Sequence, residues 1–142
     1  MTREILFRGK RTDNDEGEFV YGIPVEGEPL LGMGKRTYII TKPGVQWVDG
    51  VYMTYNECIE VDPETVGQFI GLTDKNGVKI FVGDIVHVEV CSCSFTGCVI
   101  YWSEEARYAC KTKSGTRYAI CARFEFKVIG NIYDNPAAGG EQ

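Results

Sequence analysis

Short runs of β-branched and aromatic residues, separated by Gly, Pro, Asp and Asn, dominate the chain, a pattern of strands and tight turns. Ile85-Val86-His87-Val88-Glu89-Val90 sets Val86, Val88 and Val90 on one face and His87 and Glu89 on the other, as a strand with one buried face requires. Glu4–Arg8 and Glu18–Val25 flank the turn-forming Asp13, Asn14, Asp15 and Gly17 and predict an N-terminal hairpin. Glu26 to Lys35 reads as loop, and Tyr38–Thr41 as a short strand ending before Pro43-Gly44. Val45–Val48 and Val51–Tyr55 are joined by Asp49-Gly50, a two-residue hairpin signal that sets Trp47 opposite Tyr52.

Asp62-Pro63-Glu64-Thr65 begins like a capped helix, but Thr65, Val66 and Gly67 limit it to a helical turn. Phe69–Leu72 and Val78–Val82 flank Asp74-Lys75-Asn76-Gly77, a type I turn with a glycine bulge. That register pairs Leu72 with Ile80 and Ile70 with Val82 on the buried face, leaving Thr73 and Lys79 in solvent. Gly97–Trp102, almost continuously apolar, predicts a strand covered on both faces. Ser103–Ala106 offers a helix cap with Trp102, Ala106 and Ala109 at helical spacing. A turn followed by a strand over Arg107–Thr112 is preferred, because Ser114-Gly115 and the strand-like Thr116–Cys121 then complete a hairpin. A two-residue loop there sets Cys110 opposite Ala119 and Cys121 opposite Tyr108, too oblique for a disulfide. A last strand runs from Glu125 to Tyr133, Asp134-Asn135-Pro136 stops it, and Ala137–Gln142 is a frayed tail.

The elements predict a mostly β fold of antiparallel hairpins with little or no α-helix. At 142 residues, 44% hydrophobic and 12% aromatic, the chain suits one domain with a proper core. It divides into N-terminal hairpins and loops over 1–60, a barrel-like sheet over 61–136, and the tail 137–142. No apolar run reaches a membrane-spanning length, and Arg3, Glu4 and Arg8 interrupt the position of a signal peptide, so a soluble intracellular protein without membrane partners is expected.

The net charge of -5 opposes general attraction to nucleic acid. Charge is uneven, however: Arg107, Lys111, Lys113, Arg117, Arg123 and Lys127 face only Glu125 between positions 107 and 127. In the predicted register Arg107, Lys111 and Lys113 share a face with Tyr118, together with Ala109 and Ile120. Cations beside a ring that can stack on a base make these four the candidate binding residues.

The six cysteines read as free thiols in a reducing compartment. His87, Glu89, Cys91 and Cys93 would share a face if one strand carried them all, with Cys98 nearby, but the paired knuckles of a structural zinc site are missing. His87 is the sole histidine, and on such a strand it stands some 13 Å from Cys91, too far for a nucleophile–base pair. Gly32-Met33-Gly34-Lys35 lacks the phosphate-loop spacing. Asp62 with Glu64, and Glu104 with Glu105, read as solvated surface. No catalytic residue, metal or cofactor is assigned.

Three stretches together resemble the YopX family of bacteriophage and prophage proteins. They are Arg3-Glu4-Ile5-Leu6-Phe7-Arg8-Gly9-Lys10-Arg11 with Tyr21-Gly22, Thr65–Gly77 continuing through Ile80-Phe81-x-Gly83-Asp84-Ile85-Val86, and Val128–Pro136. The resemblance implies an SH3-like barrel in the C-terminal part and a phage or prophage origin in a bacterial cytoplasm. It implies no activity. The Cys91–Cys121 segment and the Ala137-Ala138-Gly139-Gly140 tail depart from the family pattern. Gly71, Gly77 and Gly83 suit a bulge, a positive-φ turn and a sharp strand start, and Asp84 suits a cap of nearby amides.

The sequence thus favours a non-catalytic accessory protein that binds a host or phage protein through sheet edges or loops. A nucleic-acid-binding module using 107–127 is the alternative, and a metal- or thiol-dependent enzyme around His87 and Cys91 the second.

Overall fold

The computed structural model describes residues 3–134, apart from the side chains of Lys42, Pro43 and Tyr55. The expected stop at Asn135-Pro136 and the 137–142 tail lie outside the described residues. The strands are β1 (Phe7–Lys10), β2 (Phe19–Gly27), β3 (Arg36–Val48), β4 (Val51–Val61), β5 (Gly67–Thr73), β6 (Lys79–Phe81), β7 (Asp84–Val90), β8 (Cys93–Trp102), β9 (Arg107–Thr112), β10 (Arg117–Ala119) and β11 (Glu125–Asn131). Every pairing is antiparallel. Among the described residues the helical segments are 3-10 turns at Pro63–Thr65 and Ser103–Glu105, and no helix is long and apolar enough to cross a membrane. The fold is mostly β, and Arg107–Thr112 is strand. The chain divides into two compact units, Ile5–Gln68 and Met1–Glu4 with Phe69–Gln142.

In the Ile5–Gln68 unit the order β4-β3-β2-β1 continues to the first residues of β5, where Phe7 pairs with Gln68. Ile39 and Val61 are buried, and Gly9 leaves room for Val61, whose Cβ lies 3.0 Å from where a glycine Cβ would stand. Asp62 accepts the Glu64 amide at 3.1 Å and so starts the helical turn. β3 is longer than the predicted Tyr38–Thr41 strand and passes through Pro43-Gly44. A register shift between Ile40 and Lys42 leaves Thr41 unpaired, and the ladder resumes with Lys42 opposite Glu57 and continues with Pro43 opposite Asn56. The proline forfeits only its own donor. At the tip Trp47 pairs with Tyr52 as expected, ring centroids 4.6 Å apart, around a turn in which Asp49 and Gly50 both take positive φ.

The other unit is built on a sheet of order β10-β9-β8-β7-β11. Val86 and Val88 of β7, Val99 of β8, Cys110 of β9 and Phe126 of β11 form one buried cluster with Ile70 and Ile80. Cys98 and Val99 are both buried although they face opposite sides, which explains the apolar run in β8. The expected SH3-like barrel is not closed: β10 and β11 remain the edges of an open order, and no sheet among the described residues joins its own ends. The β5–β6 hairpin keeps the predicted register at Thr73, opposite Lys79, but Phe69 faces Phe81, so the predicted Ile70–Val82 pair does not form. Gly71, at φ +94°, sits in the intervening bulge, which offsets the strands while keeping Ile70, Leu72, Ile80 and Val82 on the core. Gly83, at φ +98°, starts β7 tightly: an added Cβ would stand 2.9 Å from the Tyr133 ring. Asp84 accepts the Phe81 amide at 2.8 Å, the capping role its place predicts.

Candidate functional site

The basic hairpin forms, but with a register different from the predicted one. Thr112 N donates to the Thr116 carbonyl and Gly115 N to the Thr112 carbonyl, both at 2.9 Å, closing a three-residue loop of Lys113, Ser114 and Gly115. Gly115 takes φ +90°, as the last position of such a loop requires. The extra residue reverses which side chains share a face. Arg117 stands opposite Lys111, Tyr118 opposite Cys110, and Ala119 opposite Ala109. The predicted Cys110–Ala119 and Cys121–Tyr108 pairs are therefore replaced, and all six cysteines are free.

Tyr118 consequently leaves the cationic set. Its ring stacks on Phe95 with centroids 4.2 Å apart and planes 24° from parallel, on the side of the sheet that carries the core. Ile120 packs on that core too, so it does not accompany the cations. Lys113 lies in the loop instead of on the strand. On the opposite side of the sheet, part of which is covered at Cys98 and Ala109, the exposed Arg107 and Lys111 of β9 remain with Arg117 of β10, and Trp102 of β8 stands opposite Arg107. The Arg117 guanidinium carbon lies 5.6 Å from the Trp102 ring centroid, within cation–π range. Trp102 is the aromatic partner that the sequence reading assigned to Tyr118. The available signal was Gly115 itself, which marks a three-residue loop as well as a two-residue one.

The metal and nucleophile arrangement also dissolves. β7 ends at Val90, and the chain reverses at Cys91, φ +54°, and Ser92. Cys93 then pairs with Val90 and faces away from His87, which contacts Thr96 Oγ1 at 3.1 Å and Glu89 Oε1 at 3.8 Å. No cluster of His, Cys, Asp or Glu suited to a metal occurs among the described residues. Burial pushes the Cys98 thiol up to about 11, with nearby Asp84 adding to the shift and Lys111 opposing it. Cys110 is pushed up to about 12 by burial and by Cys98. Both thiols stay protonated and unreactive near neutrality.

Two features were not anticipated. The first is the outer part of the β3–β4 hairpin. Val45, Trp47, Val51, Tyr52 and Met53 are between 55 and 71% exposed. The register sets Val45, Trp47 and Tyr52 on one face and Val51 and Met53 on the other. Asp49 and Glu57 are the charged residues of segment 44–57, which contains no Lys or Arg. The pairing was legible, but exposure on both faces depends on how far the hairpin runs past its neighbours. The second is a cleft of about 490 Å³ in the C-terminal unit, lined by Arg3, Ile70, Leu72, Tyr101, Ala106, Arg107, Tyr108, Ile120 and Ala122. Of the four predicted binding residues, Arg107 alone reaches it.

The fold is similar to the crystal structure of protein EF1440 from Enterococcus faecalis, with a TM-score of 0.62, 22% identity, and coverage of 96% of this chain and 98% of that one. No curated protein matches the chain. The family model described as YopX protein matches residues 32–138, well over half the chain, and with the β-rich architecture above this establishes that the chain belongs to the YopX family.

Proposed function

We propose that this protein is a non-catalytic binding module whose β3–β4 hairpin inserts into an apolar groove with a basic rim on a partner protein. The exposed apolar tip carries this reading. Hairpins standing alone are marginally stable in water, and large apolar side chains gathered exposed at one tip mark interaction sites. A hairpin with side chains on both faces suits a groove better than a flat surface, and the Asp49 and Glu57 charges favour a basic rim. The reading places the partner among host or phage proteins in a bacterial cytoplasm, in keeping with a prophage origin. It also keeps the SH3-like character of 61–136, supported by the antiparallel strands β7, β8, β9 and β11 packed with β5 and β6 on one core cluster.

The test compares the wild-type chain with Trp47→Ser/Tyr52→Ser in capture from host lysate, after circular dichroism has established that the variant folds. The expected result is a partner retained by wild type, lost in the variant, and released as salt rises. The same proteins bound by both forms would refute the reading, as would a self-associated wild type that the variant turns into a monomer.

Nucleic-acid binding is the second reading, favoured by one observation: Lys111 stands directly opposite Arg117, an arrangement that costs stability without an anion between them. Binding to single-stranded RNA that falls with salt and is lost in Lys111→Ala/Arg117→Ala would support it. No binding even at low salt would end it.

A further inference from the structure

The cleft beside Tyr101 and Tyr108 lies wholly within the unit formed by Met1–Glu4 and Phe69–Gln142. Its volume of about 490 Å³ falls in the range of small-molecule sites. The floor is apolar, from Ile70, Leu72 and Ile120, and one wall is aromatic. Tyr101 and Tyr108 meet edge to face with ring centroids 5.5 Å apart. Tyr101 is 53% exposed, so a large part of its side chain is open to a second ring.

The charged component is Arg3. Its guanidinium carbon lies 6.0 Å from the Tyr108 ring centroid, and its Nε would be 3.7 Å from a Cβ on Gly71. The β5 bulge thus exposes bare backbone where Arg3 crosses toward the ring. The next residue, Glu4, forms an exposed ion pair with Lys79 at 3.5 Å. Among the described residues Arg3 has no carboxylate partner, and no acidic side chain lines the cleft, whereas Arg107 does. A guanidinium beside an aromatic ring and without a carboxylate partner is suited to a carboxylate or phosphate.

We infer that this cleft binds a small organic anion with a flat ring, the ring lying on Tyr101 over the apolar floor and the charged end on Arg3. Arg107, at the start of β9, also borders the cleft. This site uses neither the β3–β4 hairpin nor Lys111 and Arg117, so its failure would leave both of those readings standing.

The experiment follows backbone amide shifts by NMR while the full chain is titrated with adenosine 5′-monophosphate and, separately, phenyl phosphate. Adenosine and inorganic phosphate serve as the two half-ligands. Saturable shifts centred on Arg3, Ile70, Leu72, Tyr108 and Ile120 are expected with at least one of the two probes. Each half-ligand should bind about tenfold or more weakly, since it forgoes either the charged contact or the stacking. Arg3→Ala should weaken binding by about tenfold, Tyr101→Ala by several-fold, and Arg107→Ala by less than Arg3→Ala. Arg3 and Tyr101 contribute little buried surface, and the unbound spectrum of each variant reports whether it folds. Shifts confined to another surface, equal affinity in Arg3→Ala and wild type, or no saturable shift with either probe would overturn the assignment.

Discussion

Asp74 ties the β5–β6 turn to β11, and removing its carboxylate is a demanding test of how the C-terminal unit is held together. Oδ1 accepts the Asn76 amide at 2.8 Å and the Val78 amide at 2.9 Å, while Oδ2 accepts the Val128 amide at 3.0 Å across 54 residues of chain. The Asp74 residue is only 6% exposed. In Asp74→Ala all three donors lose a charged acceptor. Hydrogen bonds to charged groups contribute about 1.5–3 kcal/mol each when the donor has no substitute. Asn76 and Val78 are exposed, so water can take over much of their share, whereas Val128 is half-buried beside the β11 bulge. The sum is about 3–4 kcal/mol, a large part of the roughly 5–15 kcal/mol that holds a domain folded. Asp74→Asn should lose less, because its one carbonyl oxygen still serves the turn but its amide turns a donor toward Val128 N–H.

The pH dependence follows from the same contacts. Burial disfavours the ionised carboxyl, but the amides of Val128, Val78 and Asn76 outweigh that and hold its pKa below the ordinary aspartate value. A depressed folded-state pKa stabilises the fold above the unfolded-state pKa and loses that contribution as pH falls through the folded value. Urea unfolding at pH 7 and at pH 3 or lower should therefore show a gap between wild type and Asp74→Ala that narrows on acidification. A loss under about 1 kcal/mol at pH 7, or a gap that does not narrow, would refute the argument.

Gly22→Ala would place its Cβ against the Ile40 carbonyl and 3.0 Å from Ile39 Cγ2, so thermal unfolding should show about 2–3 kcal/mol of destabilisation. Gly27→Ala, with nothing within 4 Å, should be near neutral, and equal midpoints for the two would contradict the packing. Ellman's reagent at pH 8 should label the exposed Cys58, Cys91 and Cys93 rapidly, while Cys98 and Cys110 react only when denaturant opens the core. Because the folded state raises the Cys98 and Cys110 pKa values from 9.0 to about 11 and about 12, stability should decline as pH rises from about 9 toward 12; a flat alkaline profile would count against their burial. Lys111→Gln removes a like charge opposite Arg117 and should stabilise the fold by a few tenths of a kcal/mol at low salt, a gain that denaturant titration should find reduced at high salt.

The sequence by itself determined the local structure. Period-two alternation located β7, Asp49-Gly50 aligned Trp47 with Tyr52, and Asp74 with Gly77 specified a turn whose amides the Asp74 carboxylate accepts, because each signal acts through neighbours a few residues apart. The register of β9 against β10 lay beyond it: loops of two and three residues are close alternatives around Gly115, and one residue decides whether Tyr118 faces the cations or the core. Tertiary structure alone brought Arg3, more than a hundred positions away in the chain, beside Tyr108 and the Gly71 bulge, because contacts between segments that far apart are not written into any local pattern. It also left the β3–β4 tip exposed on both faces, because what covers a strand is set by distant neighbours that the strand's own pattern does not encode.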